Sequence, residues 1–332
     1  MSPTLSVRSR ASAARPVQRG LSLIELMIAL TIGMVVMAAL GALLLSITRN
    51  NSELAKSNAQ IESGRFAIQL LQADLVHAGF WGEVRPATPT AIPDPCLAVA
   101  SWDAAYKANM LAIPVMGYDS STVPGGCTVV SGVQANSDVL VVRHANTCVT
   151  GAGCEGDTAA NPDDGPHIQL SRCGTKSPPE APYVIDSTTF PLTNRNCTTI
   201  ADRRKVVSNI YYVSGNTLRR ASFVDGSYQT QPLIDGIEAM RFEYGLDTTN
   251  DGSPDSYVSC APCTLAQLPN IVAVKIYVLA RNPEVTPGYT DSKSYQLGAA
   301  TYTVPTADVG FKRHVFSTTV RLVNPSGRRE VP

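Results

Sequence analysis

The feature that most constrains this chain is an unbroken apolar run near its start. From Leu26 to Ile47 there are 22 residues with neither a charge nor a proline. As a helix that run measures ~33 Å, enough to cross the ~30 Å hydrocarbon layer of a bilayer. Directly before it stand Gly20-Leu21-Ser22-Leu23-Ile24-Glu25 and a leader with Arg8, Arg10, Arg15 and Arg19 but no acid. A bare carboxylate in such a segment costs roughly 2.5–3.5 kcal/mol on insertion scales, so Glu25 reads as a functional group. The leader arginines hold that end in the cytoplasm and send the remainder across the membrane. A cleaved secretory signal fits poorly, because its apolar core runs 7–15 residues and ends in small residues. A plain anchor has no use for a Gly-x4-Glu entrance.

Gly20-Leu21-Ser22-Leu23-Ile24-Glu25-Leu26 resembles the processing site of type IV prepilins and of the pseudopilins of type II secretion. The resemblance implies cleavage by a prepilin peptidase between Gly20 and Leu21, followed by N-methylation of Leu21. It also implies that Glu25 pairs with the N-terminal amine of a neighbouring subunit during filament assembly. Leu21 stands where most family members have Phe. The physical argument agrees, since a carboxylate in lipid is relieved once a cationic amine reaches it.

The formal net charge is zero, with four of the 27 basic residues in the leader, so the remainder is mildly acidic. That balance argues against a nucleic-acid partner, although Arg203-Arg204-Lys205, Arg219-Arg220, Lys312-Arg313 and Arg328-Arg329 form short basic clusters. Solvated strand ends explain them as well. Eight cysteines, at 96, 127, 148, 154, 173, 197, 260 and 263, all follow the apolar run. An even number on the exported side reads as disulfides, with local pairs Cys148–Cys154 and Cys260–Cys263 favoured.

No proline interrupts Leu21–Arg85, and Pro86, Pro89, Pro93 and Pro95 then crowd together. Leu54, Ile61, Ile68, Leu71 and Leu75 make a heptad-like stripe, which predicts an amphipathic continuation of the helix. Gly64 is a candidate bend and Gly79 a candidate stop. Residues 83 to about 135 read as loops. Asp138–Arg143 reads as a strand, and 144–205 as a Cys-rich insertion with short strands near Ile168–Leu170 and Tyr183–Ile185. The last 130 residues are β-rich. Val206–Val213 and Thr217–Ala221 flank Ser214-Gly215-Asn216 as a hairpin, and Met240–Tyr244, Val272–Val278 and Phe316–Leu322 alternate as half-buried strands.

Glu62-Ser63-Gly64-Arg65-Phe66-Ala67, the stretch through Asp74-Leu75 to Phe80-Trp81-Gly82, and the ending His314–Arg321 resemble the PilW-type minor pilins. The likeness covers both ends of the chain and little of 83–205. The expected fold is α+β and type IV pilin-like, one long helix packed on an antiparallel sheet with disulfide-pinned loops. The parts are a cleaved leader 1–20, a membrane and filament-core helix 21–48, an amphipathic half 49–82 and a head 83–332 carrying the insertion at about 144–205. The resemblance implies as partners other minor pilins, the major pilin and a PilY-type tip adhesin. It implies an inner-membrane subunit, N-terminus cytoplasmic and head periplasmic, that moves to the surface pilus, primes assembly, sits at the tip and supports adhesion and twitching motility.

Asp247-Thr248-Thr249-Asn250-Asp251-Gly252-Ser253-Pro254-Asp255 has the spacing of an EF-hand-like calcium loop, with Asp247, Thr249, Asp251, Ser253 and Asp255 as ligands and Gly252 at the turn. Thr249 and Val258 depart from that pattern at its third and twelfth positions. The competing reading is an Asx-rich turn. Calcium is the one cofactor considered, and none is required. Cys260-Ala261-Pro262-Cys263 lacks the βαβ setting of a redox motif and reads as a structural disulfide. The four histidines are scattered and no nucleophile or phosphate-loop motif occurs, so the chain is not read as an enzyme. The alternatives are a J-type minor pseudopilin of type II secretion and, from another class, a membrane-anchored periplasmic binding or catalytic domain.

Overall fold

The structure is a computed structural model that describes residue 20 and residues 22–124, 126–151, 165–224 and 227–330. It opens with one helix, α1 (Leu23–His77), and the chain divides within that helix into two units at Leu54/Ala55. In the first unit the apolar side chains Leu26, Ile28, Leu30, Val35, Leu40 and Leu44 are all exposed, with a mean hydropathy of 2.5 in the most apolar window. Thr31 and Thr48 donate back to the carbonyls of Ile28 and Leu44, both at 2.9 Å, so their hydroxyls need no water.

The second unit holds α2 (Ala104–Ala112), β1 (Val115–Asp119), β2 (Asp138–Ala145), β3 (His167–Leu170), β4 (Tyr183–Asp186) and β5 (Arg203–Ser214). It continues with β6 (Thr217–Val224), β7 (Ser227–Asp235), β8 (Ile237–Leu246), β9 (Ser256–Val258) and β10 (Ile271–Arg281). It ends with β11 (Ser294–Leu297), β12 (Ala300–Thr303), β13 (Arg313–Arg321) and α3 (Val323–Glu330). All pairings between these strands are antiparallel. A seven-stranded sheet runs β1-β2-β5-β3-β4, with β6 and β7 added beside β5. A four-stranded sheet runs β13-β10-β8-β9, and β11 and β12 form a separate hairpin. Gly215 and Asn216 both have positive φ (61° and 58°), the backbone a two-residue hairpin between twisted strands requires.

From Ala55 on, α1 covers the sheets with an unexpected face. The buried positions are Gln60, Gly64, Ala67, Leu71 and Leu75, while Ile61 is exposed and Ile68 half-buried. Leu54, in the first unit, is also exposed. The helix runs through Gly64 without a break. It admits the ring of Phe316 from β13, with which any Cβ at that position would collide. Gln60 Nε2 donates to the carbonyls of Ala280 (2.8 Å) and Lys312 (3.0 Å). Asp74 reaches the sheet as well, accepting from His144 Nε2 at 2.9 Å and Asn209 Nδ2 at 3.0 Å. Gly79, at φ +71°, ends the helix as its sequence position implies.

Two elements break the loop expected over 83–135. In α2, Asp103 caps the helix by accepting from the Tyr106 amide at 2.7 Å, and Met110 and Leu111 are buried. Strand β1 is buried at its first four positions, and its Gly117 leaves room for the Tyr244 hydroxyl.

A dry ionic cluster ties the β11–β12 hairpin to the four-stranded sheet. Arg313 forks onto Glu238 (2.6 and 3.0 Å) and reaches Asp291 at 3.1 Å, with all three side chains essentially without solvent exposure. The hydroxyls of Tyr302 and Tyr295 donate to Glu238 (2.6 Å) and Asp291 (2.8 Å). The carbonyls of Phe311 and Asp308 take the remaining guanidinium protons.

Candidate functional site

The first candidate lies where α1 begins. Ser22 and Glu25 form a reciprocal capping box: Glu25 Oε2 accepts from the Ser22 amide at 2.9 Å, and Ser22 Oγ accepts from the Glu25 amide at 3.2 Å. The helix thus starts at its own Ser-x-x-Glu signature, which sequence reading alone could have found. Gly20 is exposed, while Leu21 lies outside the described residues. Glu25 is therefore not a bare carboxylate, because it already satisfies one of the orphan amides of the helix start.

The second candidate is the 247–255 loop, and it is closed by the protein itself. The buried Asp247 carboxylate accepts from the amides of Asn250 (2.6 Å), Asp251 (3.3 Å) and Gly252 (2.9 Å). Arg329 of α3 adds a guanidinium 3.3 Å from Asp247 Oδ2. Burial alone would push this carboxyl up, but those amides and Arg329 together hold it below the usual range. Asp255 accepts from the amides and hydroxyls of Thr248 and Thr249, and hydrogen bonds from Thr248 lower its pKa most. Asp251 accepts from the Ser253 amide. Thr249 and Ser253 therefore serve the turn. Among the described residues no three His, Cys, Asp or Glu side chains gather to hold a metal ion.

Helix α3 was not legible in the sequence, and it ties several elements together. Asn324 Nδ2 donates to the carbonyls of His77 (3.4 Å) and Ala78 (3.2 Å), and Arg328 donates to Gly79 O at 2.9 Å. These contacts satisfy carbonyls that the end of α1 leaves without helical partners. Ser326 Oγ donates to Gly252 O.

Disulfides join Cys96 to Cys127, Cys173 to Cys197 and Cys260 to Cys263. The local Cys260–Cys263 pair is as expected, whereas Cys96–Cys127 and Cys173–Cys197 close longer loops. Cys154, and with it the expected Cys148–Cys154 pair, lies outside the described residues. The basic clusters are largely used internally. Arg203 and Arg204 stack on Phe190 and Phe80, Arg219 donates to Ser214 O and Arg220 to Gln231, and Arg313 is buried.

Residues 15–41 match the model of the prokaryotic N-terminal methylation motif, and residues 202–324 match that of type IV pilus-assembly protein W. The chain thus matches a type IV pilin motif at its start and the PilW family over its C-terminal part. These matches are to structural subunits rather than enzymes, and the methylation motif implies prepilin-peptidase processing and assembly with other pilins. Curated proteins gave no match. A solved structure, the type IV-like pilin TTHA1219 from Thermus thermophilus, aligns over 80% of this chain and 97% of its own at 14% identity and a TM-score of 0.37.

Proposed function

We propose that this pilin is a minor subunit that primes type IV pilus assembly and resides at the pilus tip, where it supports adhesion and twitching motility. The observation that carries the reading is the methylation motif at one end joined to the PilW match at the other. A tip position suits the large disulfide-bearing head, because bulk at a tip is not limited by neighbours on every side. In this reading residues 1–20 are a leader cut between Gly20 and Leu21, Leu21 is N-methylated, and 21–48 anchor the subunit in the inner membrane with its head periplasmic. The helix half 49–82 and the head 83–332 then join other minor pilins, the major pilin and a PilY-type adhesin.

Glu25 is the assembly carboxylate of this scheme. Among the described residues its carboxylate accepts from the Ser22 amide. Exchange of that bond for a neighbour's cationic amine sets a full opposite charge, in place of an amide dipole, against the carboxylate. The 247–255 loop serves as a closed structural turn.

N-terminal sequencing of the chain from sheared pili, beside a deletion strain, tests the proposal. The expected results are a start at methylated Leu21, and loss of surface pili and twitching with normal exoprotein secretion. Lost secretion with normal pili would instead make the chain a type II pseudopilin. Glu25→Ala should be cleaved but not incorporated, and normal incorporation would remove Glu25 from the assembly contact.

A further inference from the structure

The strongest unassigned contact in the head is the one around Arg329. Four oxygens ring its guanidinium: Asp247 O at 3.0 Å, Asp247 Oδ2 at 3.3 Å, Pro269 O at 3.0 Å and Asn270 Oδ1 at 2.6 Å. One carboxylate, one carboxamide and two main-chain carbonyls are the hard donors that calcium selects. They are not the set the loop's spacing predicts, since only Asp247 belongs to both. Gly252 has no room for a side chain because Glu330 and Ser326 of α3 press against it. A cleft of about 710 Å³, bordered by Pro114, Leu268, Arg328 and Arg329, opens beside the ring and gives an ion a path to it.

We propose that this oxygen cage is a cation site filled by the chain's own Arg329, and that the filled cage locks α3 onto the loop and onto Pro269 and Asn270. The guanidinium supplies the positive charge that the buried Asp247 requires, so a divalent cation enters only when Arg329 is gone. The argument is electrostatic: a second cation in the same ring would face Arg329 at contact distance without a second carboxylate to offset it.

Thermal unfolding of the full chain in detergent, with and without millimolar calcium, tests the proposal. The wild type should ignore calcium. Arg329→Ala should lose about 6–10 °C in Tm, the effect of stranding a buried carboxylate, and calcium should restore much of that loss while equimolar sodium does not. Adding Asn270→Ala to that variant should abolish the calcium response. If Arg329→Ala fails to fold without calcium, folding on addition of calcium is the same positive result. Asn270→Ala alone, which keeps the guanidinium, should fold, melt lower than wild type and ignore calcium. The proposal is overturned by a wild type that calcium stabilises, by an Arg329→Ala that melts like wild type, or by one that calcium does not rescue.

Discussion

Arg313→Met isolates what the buried ionic cluster contributes. The substitution removes the cation but leaves Glu238 and Asp291, both without solvent exposure, facing an apolar side chain. Tyr302 and Tyr295 still donate one hydrogen bond to each carboxylate, and Asp291 keeps the Lys293 amide at 3.3 Å. Those neutral donors do not replace a bidentate guanidinium, so at pH 7 the variant should lose about 3–5 kcal/mol, the usual cost of breaking one side of a buried pair. At roughly 2–4 °C per kcal/mol for a unit of this size, Tm should fall by about 6–20 °C. Urea unfolding and a thermal scan of the detergent-solubilised chain measure both quantities. Adding Glu238→Gln removes one of the stranded charges and should recover part of the loss. A deficit below 1 kcal/mol would show that water reaches the cluster and that the pairing is not what holds the hairpin.

The Asp74–His144 pair predicts a pH-dependent contribution. Burial alone would lower the His144 pKa, but Asp74 and the Ala145 carbonyl raise it above its ordinary 6.5, because both ring nitrogens face acceptors and only the imidazolium donates twice. The stabilisation is full below the unfolded pKa and is lost as pH rises through the folded one, so Asp74→Asn should cost about 1.5–3 kcal/mol near pH 5.5 and much less at pH 9 by urea titration. Titration with the neighbouring His77, whose ring centroid lies 5.7 Å from that of His144, replaced by Gln checks that the dependence belongs to His144. Gly64→Ala should destabilise the head, because displacing Phe316 at about 1–3 kcal/mol outweighs the ~1 kcal/mol helix-propensity gain; in a Phe316→Ala background the same change should become stabilising. Arg143 is buried with its Nε unpaired and only contacts of 3.3–3.5 Å to two carbonyls and the Met116 sulfur. Arg143→Met should raise the urea midpoint, and a lower one would show that those long contacts are worth more than the desolvation they accompany.

What the sequence made legible follows the range of the interactions concerned. The β5–β6 hairpin was readable because Gly215-Asn216 sits between two apolar runs, and local backbone chemistry decides such a turn. The strands β8, β10 and β13 were readable because apolar residues alternate along them, although β8 and β10 are buried at most positions of both faces. Strand β1 was hidden because its central Gly117, a poor strand former in isolation, exists for the hydroxyl of Tyr244, far along the chain. Short α2 was hidden by the prolines before it, although Asp103 is an ordinary cap. Before and at the start of α1, Gly20, Leu21 and Glu25 form a local motif, and Ser22 lies within the same six residues. Arg329 was not available, since it meets Asp247 from 82 residues away and nothing near the loop announces it.

The face of α1 that meets the head follows the same logic, with a sharper consequence. Counting apolar residues selects Leu54, Ile61 and Ile68, yet the deepest contacts between Ala55 and Leu71 are made by Gln60, Gly64 and Ala67. Each of these is chosen by its partner rather than by hydrophobicity. Gln60 supplies two protons to the carbonyls of Ala280 and Lys312, Gly64 vacates space for Phe316, and Ala67 lets the helix lie close. An amide that pairs fully costs little to bury, and a missing side chain is itself a packing feature once a large ring fills the gap. Only in the last two turns, at Leu71 and Leu75, do apolar periodicity and burial coincide. A helix whose inner face is set by carbonyls and one aromatic ring keeps Ile61, Phe66 and Val76 on the outside, so their exposure in the isolated chain follows from the register that Gln60 and Gly64 impose. Replacing Gln60 by Leu, which restores the apolar pattern, should therefore destabilise the head by leaving the Ala280 carbonyl without its donor, at about 1–3 kcal/mol in the same urea assay. A more stable Gln60→Leu would mean that apolar contact, and not hydrogen bonding, sets the register.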